Sequence, residues 1–147
     1  MLLQKALKEK KKLINKINKT KTLIRDKNSY REGTNVPENF NVKKLMDSLN
    51  GDLSDLITLK MMINQANIEI QPYIYQLSEY KDYIKFLRDI KTQEGDFSDF
   101  NNHFFTQKTQ ISELEILELI DEYERKIELL QEEIDKYNYR TEIPWDN

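Results

Sequence analysis

The side chains that could carry out chemistry in this chain are one histidine and many carboxylates. His103 is the only histidine, and there is no cysteine. Zinc sites are normally built from several His and Cys ligands, so we expect His103 to be a solvated loop residue. Acidic residues are frequent between Glu113 and Asp135, but a di-iron site would also need histidines at three-residue spacing. We therefore expect no catalytic residue, no metal ligand and no cofactor.

Glycine-dependent nucleotide and nucleophile motifs are also missing. The chain has three glycines, and none of them belongs to a P-loop, a GxGxxG turn or a serine-nucleophile elbow. The absence of cysteine excludes disulfides and a thiol nucleophile. A protein without enzymatic activity is the favoured interpretation, and an enzyme that uses an unusual carboxylate pocket is the alternative.

Charge is distributed unevenly along the chain, although the net charge is only −3. Residues 5–31 contain 11 basic and 2 acidic residues, whereas residues 113–147 contain 4 basic and 12 acidic residues. The basic segment could pair with the acidic one, within a chain or between subunits, or it could bind nucleic acid or an anionic membrane. Its lysines are expected to interrupt every helix face without forming one stripe. Arginine, which suits phosphate contacts, is rare there, so pairing is favoured and nucleic acid is not the expected partner.

The elements that would position these side chains are helices. With 38% apolar and 33% charged residues, three prolines and three glycines, the chain is predicted to be all-α, with four long amphipathic helices in an antiparallel bundle or coiled coil. Gly33 and Pro37 should separate the first two helices, Asn41 should cap the second, and Ser112 with Glu115 forms a capping box for the fourth. In a single domain spanning 1–147, the predicted helices cover about 2–28, 41–68, 75–91 and 112–138, with an irregular aromatic loop over 92–111 and a tail over 139–147.

The second predicted helix carries a heptad seam. The repeat favours a coiled coil that joins subunits, and the polar seam residues Lys60 and Asn67 would set its register or partner. Gly51 inside this helix predicts a kink or a close helix approach. We expect a homo-oligomer, with an unidentified protein partner as the second option. The predicted seam residues are Val42, Met46, Leu49, Leu53, Leu56, Lys60, Ile63, Asn67 and Ile70.

Three connecting segments have their own predictions. Residues 68–72 should be an extended connection because Pro72 disfavours helical angles at Gln71. The alternation over 105–111 predicts a short strand or hairpin arm. Nine of the fifteen aromatic residues lie between Tyr73 and Phe105, and they should close one end of the bundle or face a partner. The tail 138–143 should fold back and hydrogen-bond backbone near a helix end, close to Asn64 and Asn67.

The sequence contains no membrane-targeting signal that we can identify. No apolar run approaches the roughly 18 residues that a membrane span needs. The segment that begins at Met1 has no apolar stretch of signal-peptide length. We therefore expect no transmembrane segment and a cytoplasmic protein.

Three motifs resemble the septicolysin-like family of small bacterial helical proteins. Glu32-Gly33 followed by Pro37-Glu38 is similar to the acidic Gly-Pro loop after the family's first helix. Ile63-Asn64 with Asn67 is similar to its Ile-Asn-x-x-Asn segment. Ile134 followed by the segment 138–143 resembles its Asn-Trp-x-Thr-Glu-Leu ending, with Tyr139 in place of the usual Trp.

Two more positions depart from the family pattern. Lys81-Asp82 stands where an Arg-Asp pair is usual, and residues 68–72 replace a glycine turn. The resemblance implies a helical fold and gives no reaction, while the family name implies a membrane-active, toxin-like protein as an alternative. The candidate structural or interaction residues are Asn64, Asn67, Asn138, Tyr139, Thr141 and Glu142.

Overall fold

The computed structural model describes residues 1–34 and 40–146. Within them the protein forms four α-helices and one antiparallel pair of short strands. The all-α prediction, with a β-hairpin arm between the third and fourth helices, is therefore confirmed. In chain order the elements are α1 (Leu3–Lys27), α2 (Val42–Ala66), α3 (Gln71–Asp89), β1 (Gly95–Ser98), β2 (Phe104–Gln107) and α4 (Glu113–Arg140).

The chain divides into two compact units. One unit comprises Met1–Glu69 together with Tyr137–Asn147, and the other comprises Ile70–Lys136. The first unit therefore contains α1, α2 and the last turn of α4, and the second contains α3, the hairpin and the rest of α4.

The first unit is built on the packing of α1 against α2. One charged link joins the two helices: Lys16 Nζ lies 2.7 Å from Asp52 Oδ1. Asp52 is buried, and its second carboxylate oxygen, Oδ2, has no hydrogen-bond partner. The buried apolar side chains that the two helices contribute are Leu3, Ala6, Ile17, Leu56, Leu59 and Ile63.

The second unit is built on the packing of α3 against α4. Ile84 and Leu87 of α3 form a buried cluster with Ile116 and Ile120 of α4. Beside this cluster the Tyr80 and Tyr123 rings meet edge to face, with centroids 5.1 Å apart. At the exposed margin, Arg88 Nη2 donates to Glu124 Oε1 at 3.1 Å. The apolar face of each helix is thus covered by the other.

Two predicted helix starts are confirmed in detail. The Asn41 side chain accepts a hydrogen bond from the Lys44 N–H at 3.2 Å, so Asn41 is the N-cap of α2. At the start of α4, Ser112 Oγ accepts from the Glu115 N–H, and Glu115 Oε2 accepts from the Ser112 N–H. This reciprocal pair is the predicted capping box.

The predicted seam of α2 is only half right. Leu49, Leu56 and Ile63 are on the buried side as expected, but the alternate positions are shifted by one residue. Lys60 and Met46 are exposed, and Asp52 is the polar residue inside the seam. The error arises because a 3.5-residue repeat can be completed by a step of three or of four, and α2 has apolar residues at both. The buried or half-buried face consists of Leu45, Leu49, Asp52, Leu56, Leu59 and Ile63.

The prediction of an extended connection at residues 68–72 is wrong. A tight turn follows Asn67, and α3 already begins at Gln71, with Pro72 in its first turn. Proline is compatible with that position because the first N–H groups of a helix have no intrahelical partner. Pro72 therefore starts α3 instead of delaying it to Tyr75.

Smaller differences concern other boundaries. Helix α4 continues to Arg140, beyond the expected end at Asn138. A Cβ on Gly51 would meet nothing within 4 Å, so the expected close helix approach there is wrong. Gly33 does adopt a positive φ of 81°, in line with its predicted role in ending α1. The predictions on Pro37, including its share of the family resemblance, lie outside the described residues.

Candidate interaction surfaces

The six candidate residues occupy the end of α2 and the last part of the chain. Asn67 is the C-cap of α2, and its backbone N–H donates to the carbonyls of Ile63 at 3.0 Å and Asn64 at 3.2 Å. Asn64 is exposed on the last turn of α2. Asn138 and Tyr139 lie in the last turn of α4, half-buried and exposed respectively, and Thr141 and Glu142 follow directly.

The tail folds back through its backbone. The Leu3 N–H donates to the Thr141 carbonyl at 2.7 Å, and the Ile143 N–H donates to the Met1 carbonyl at 2.8 Å. Leu2 and Glu142 form an antiparallel bridge between these two bonds. The Ile143 side chain is 3% exposed and therefore belongs to the core of this unit. The fold-back is as predicted, but its hydrogen-bond partner is the segment that precedes α1.

A tyrosine that was not singled out as a candidate ties the tail to α2. Tyr137 Oη donates to the Ala66 carbonyl at 2.6 Å, and the Tyr137 residue is buried. The last carbonyls of a helix have no intrahelical donor, so this bond satisfies a group at the C-terminal end of α2. The predicted nearness of the tail to Asn64 and Asn67 is thus achieved by Tyr137.

A cleft of about 390 Å³ lies where the tail meets the end of α2. Its walls are mostly apolar, and Glu142 is the only charged residue that lines it. Glu142 is thereby placed at a surface groove, as part of an interaction site would be. The lining residues are Met61, Met62, Gln65, Ala66, Glu142, Ile143 and Pro144.

A second apolar face of α2 leads into this cleft. Met46, Leu53, Ile57 and Met61 recur at steps of seven, four and four residues, which places them on one side of a helix. We call these four residues the outer stripe. Ile57 is 59% exposed and Met61 is 68% exposed, and Leu53 is half-buried. Helix α2 therefore has one apolar face that is buried and one that is open.

The hairpin exposes phenylalanines instead of enclosing them. Phe97 and Phe105 are opposite each other across the two strands, with ring centroids 6.0 Å apart. Phe100, between the strands, is fully exposed, and Phe104 is 86% exposed. The prediction that the aromatic cluster closes one end of a bundle is therefore wrong for these residues, and the alternative that they face a partner stays a prediction.

Asp99 organises the turn that carries Phe100. Its Oδ1 accepts from the N–H groups of Asn101 at 2.8 Å and His103 at 2.9 Å. These bonds favour the ionised carboxylate and lower the pKa of Asp99, the bond from His103 most strongly. His103 itself is exposed, as predicted, and its Nδ1 lies 3.3 Å from Asp99 Oδ2.

The lysines of α1 form one stripe, contrary to the sequence-based expectation. Steps of three and four residues keep successive side chains on the same side of a helix, opposite the buried face. Lys16 is held by Asp52, and Lys12 lies 3.5 Å from Glu9. This set is called the lysine stripe below. Its exposed members are Lys5, Lys8, Lys12, Lys16 and Lys19.

An equally long stripe on α4 is mainly acidic. Its members are all exposed, and among the described residues none of them forms an ion pair. It lies opposite the face of α4 that carries Ile116 and Ile120. We call it the acidic stripe. It consists of Glu118, Asp121, Arg125, Glu128 and Glu132.

The fold and these surfaces define an all-α protein whose helices expose one apolar and two charged stripes. Within residues 1–34 and 40–146, no group of three or more His, Asp or Glu side chains is arranged to hold a metal ion. None of the helices in the same ranges is long and apolar enough to cross a membrane. Comparisons with protein-family models, curated proteins and solved structures gave no match for this chain. The resemblance to the septicolysin-like family stays a prediction.

Proposed function

We propose that this chain is a non-enzymatic helical protein that self-associates and serves as a structural or interaction module in the cytoplasm. The observation that carries the proposal is the outer stripe of α2. A helix that packs on one side only needs a single apolar face, and α2 has a second one. Burial of that second face against another chain removes apolar area from water and stabilises the assembly.

A second copy of the chain is the partner that fits best. Two outer stripes have the same length and the same spacing, so they are complementary in the way that a two-fold interface requires. Met46 and Met61 have flexible side chains that adapt to an imperfectly matched surface. The tail cleft, which shares Met61 with the stripe, would lie at the edge of this interface and bring Glu142 next to the other copy.

The mass in solution tests this proposal. Light scattering after size-exclusion chromatography at low and high salt should give a multimer of the natural chain at both salts, because apolar burial is not screened by ions. Replacing Ile57 and Met61 with lysine should give monomers. The matched control, Ser48→Lys with Thr58→Lys, adds the same charge at exposed positions outside the stripe and should keep the multimer.

Two results would contradict the proposal. A natural chain that stays monomeric at micromolar to millimolar concentration would show that self-association is not its role. A multimer that survives in the Ile57→Lys and Met61→Lys chain would show that another surface joins the copies. Circular dichroism of each variant establishes that the helices are still formed.

A membrane-active role, as the family name implies, is the second candidate. The observation that favours it is the pair of exposed phenylalanines, Phe100 and Phe104, at the end of the hairpin. Aromatic side chains partition into the membrane interface. Dye release from liposomes by the natural chain, lost in a Phe100→Ser and Phe104→Ser variant, would support this role. Liposomes that stay intact at micromolar protein would remove it.

A further inference from the structure

The two charged stripes match each other in length and are opposite in sign. The lysine stripe begins at Lys5 and ends at Lys19, and the acidic stripe begins at Glu118 and ends at Glu132. Each spans 14 residues, which is about 21 Å of helix at a rise of 1.5 Å per residue. We propose that the acidic stripe of one copy docks on the lysine stripe of a second copy, an inference that rests on the self-association proposed above.

Charge complementarity favours a second copy over a nucleic acid as the partner. The whole chain has a net charge of −3, so a polyanion would be repelled by the rest of the molecule. The stripe is built from lysine alone, without the arginine that makes paired contacts with phosphate. An acidic helix of matching length is present in every copy, and each copy offers both halves of the contact.

The apolar residues near the stripes indicate the direction of the docked helices. Leu23 follows Lys19 by four residues, and Leu114 precedes Glu118 by four residues, and both are exposed. An antiparallel arrangement that places Leu23 opposite Leu114 also places Lys19 opposite Glu118 and Lys5 opposite Glu132. The two helix dipoles are then opposed, which is the favourable orientation.

This register contains one unfavourable pair, which makes the inference easy to test. Lys12 would lie opposite Arg125, the single basic residue of the acidic stripe. Replacing Arg125 with glutamate should therefore tighten the assembly, although the substitution adds negative charge to a negatively charged protein. An exposed ion pair changes an association constant by roughly two- to five-fold, and that range is the gain expected for each contact.

The decisive experiment exchanges the charges between the stripes. One chain carries Lys8→Glu, Lys12→Glu and Lys19→Glu, which spares Lys16 because it holds Asp52. The other chain carries Glu118→Lys, Asp121→Lys and Glu128→Lys. At about 50 mM salt, where screening is weak, sedimentation velocity should show that each chain alone assembles at least ten-fold more weakly than the natural chain. An equimolar mixture should assemble again, because every contact is then between opposite charges.

Cysteine cross-linking tests the direction of the helices, since the chain has no cysteine of its own. A chain with Leu23→Cys mixed with a chain with Leu114→Cys should form a disulfide-linked pair under mild oxidation. A mixture of Leu23→Cys with Lys136→Cys is the control, because those positions approach each other only in a parallel arrangement. A pair formed in the control and not in the first mixture would overturn the antiparallel register.

The outcomes separate this inference from the proposed function. If the charge-reversed chains assemble as tightly as the natural chain, or if their mixture stays monomeric, the stripe contact is overturned while the outer stripe of α2 is still supported by its own variants. If the natural chain is monomeric, both ideas fail. If the natural chain binds a short DNA duplex and reversal of the lysine stripe abolishes only that binding, the stripe belongs to a nucleic acid and the inference is overturned.

Discussion

The two apolar faces of α2 are similar in composition and opposite in environment. The face that includes Leu56, Leu59 and Ile63 is buried in the unit that contains α1. The face that includes Ile57 and Met61 is open. Both faces follow spacings of three, four or seven residues, so periodicity marks each of them equally. The comparison shows that a heptad pattern identifies apolar surfaces and leaves open which of them the chain covers by itself.

The largest expected difference between the two faces is in the free energy of unfolding. Leu59 is fully buried, and Leu59→Ala should lower that free energy by about 2–5 kcal/mol, because the substitution leaves a cavity. Ile57→Ala removes a side chain of the same size from the open face and should change it by about 0.5 kcal/mol or less. Urea unfolding at protein concentrations below assembly measures both values. Equal losses would mean that the open face is covered within one chain.

The buried face is interrupted by one charge, and its partner is the subject of the second prediction. Lys16→Met should lower the free energy of unfolding by about 1–3 kcal/mol, because it leaves the buried Asp52 carboxylate without its only hydrogen-bond partner. Adding Asp52→Leu to that variant should recover most of the loss, since a continuous apolar seam replaces the ion pair. A double-mutant cycle in urea measures the coupling. Additive effects would contradict a direct interaction.

A smaller effect is expected where the tail meets the end of α2. Tyr137→Phe removes the hydrogen bond to the Ala66 carbonyl and should lower the free energy of unfolding by about 1 kcal/mol. Tyr139→Phe, two residues later on the exposed side, is the matched control and should have no measurable effect. Thermal unfolding of the two variants side by side provides the comparison. A larger loss for Tyr139→Phe would favour the family-based expectation that position 139 anchors the tail.

Local signals in the sequence were sufficient for the helices. Asn41 and the Ser112–Glu115 box are contacts between near neighbours in the chain, so the starts of α2 and α4 could be predicted to within a residue. The connection at Pro72 was wrong because proline fits the first turn of a helix as well as a break. Whether Pro72 opens α3 depends on the turn after Asn67, which has no strong residue signature.

The candidate surfaces were only partly predictable. The fold-back of the tail was anticipated, but the pairing of Thr141 and Ile143 with Met1 and Leu3 uses backbone groups, which carry no side-chain signal in the sequence. Asp52 was missed because a carboxylate at a seam position is detectable only when its partner, 36 residues away, is known. The lysine stripe could have been found by counting steps of three and four from Lys5.

The last prediction concerns the hairpin turn, where exposed apolar side chains depend on one carboxylate. The pKa of Asp99 is lowered below its usual 3.8, chiefly by the hydrogen bond from the His103 N–H. A group whose pKa is lowered in the folded state stabilises that state above the unfolded-state pKa, and the contribution is lost as the pH falls through the folded-state value. The turn should therefore keep its order from neutral pH down to about pH 4 and lose it below. NMR shifts of the Asn101 and His103 amides should report this transition, and Asp99→Asn should abolish it. A transition that persists in Asp99→Asn would assign it to another group and separate the presentation of Phe100 from the charge of Asp99.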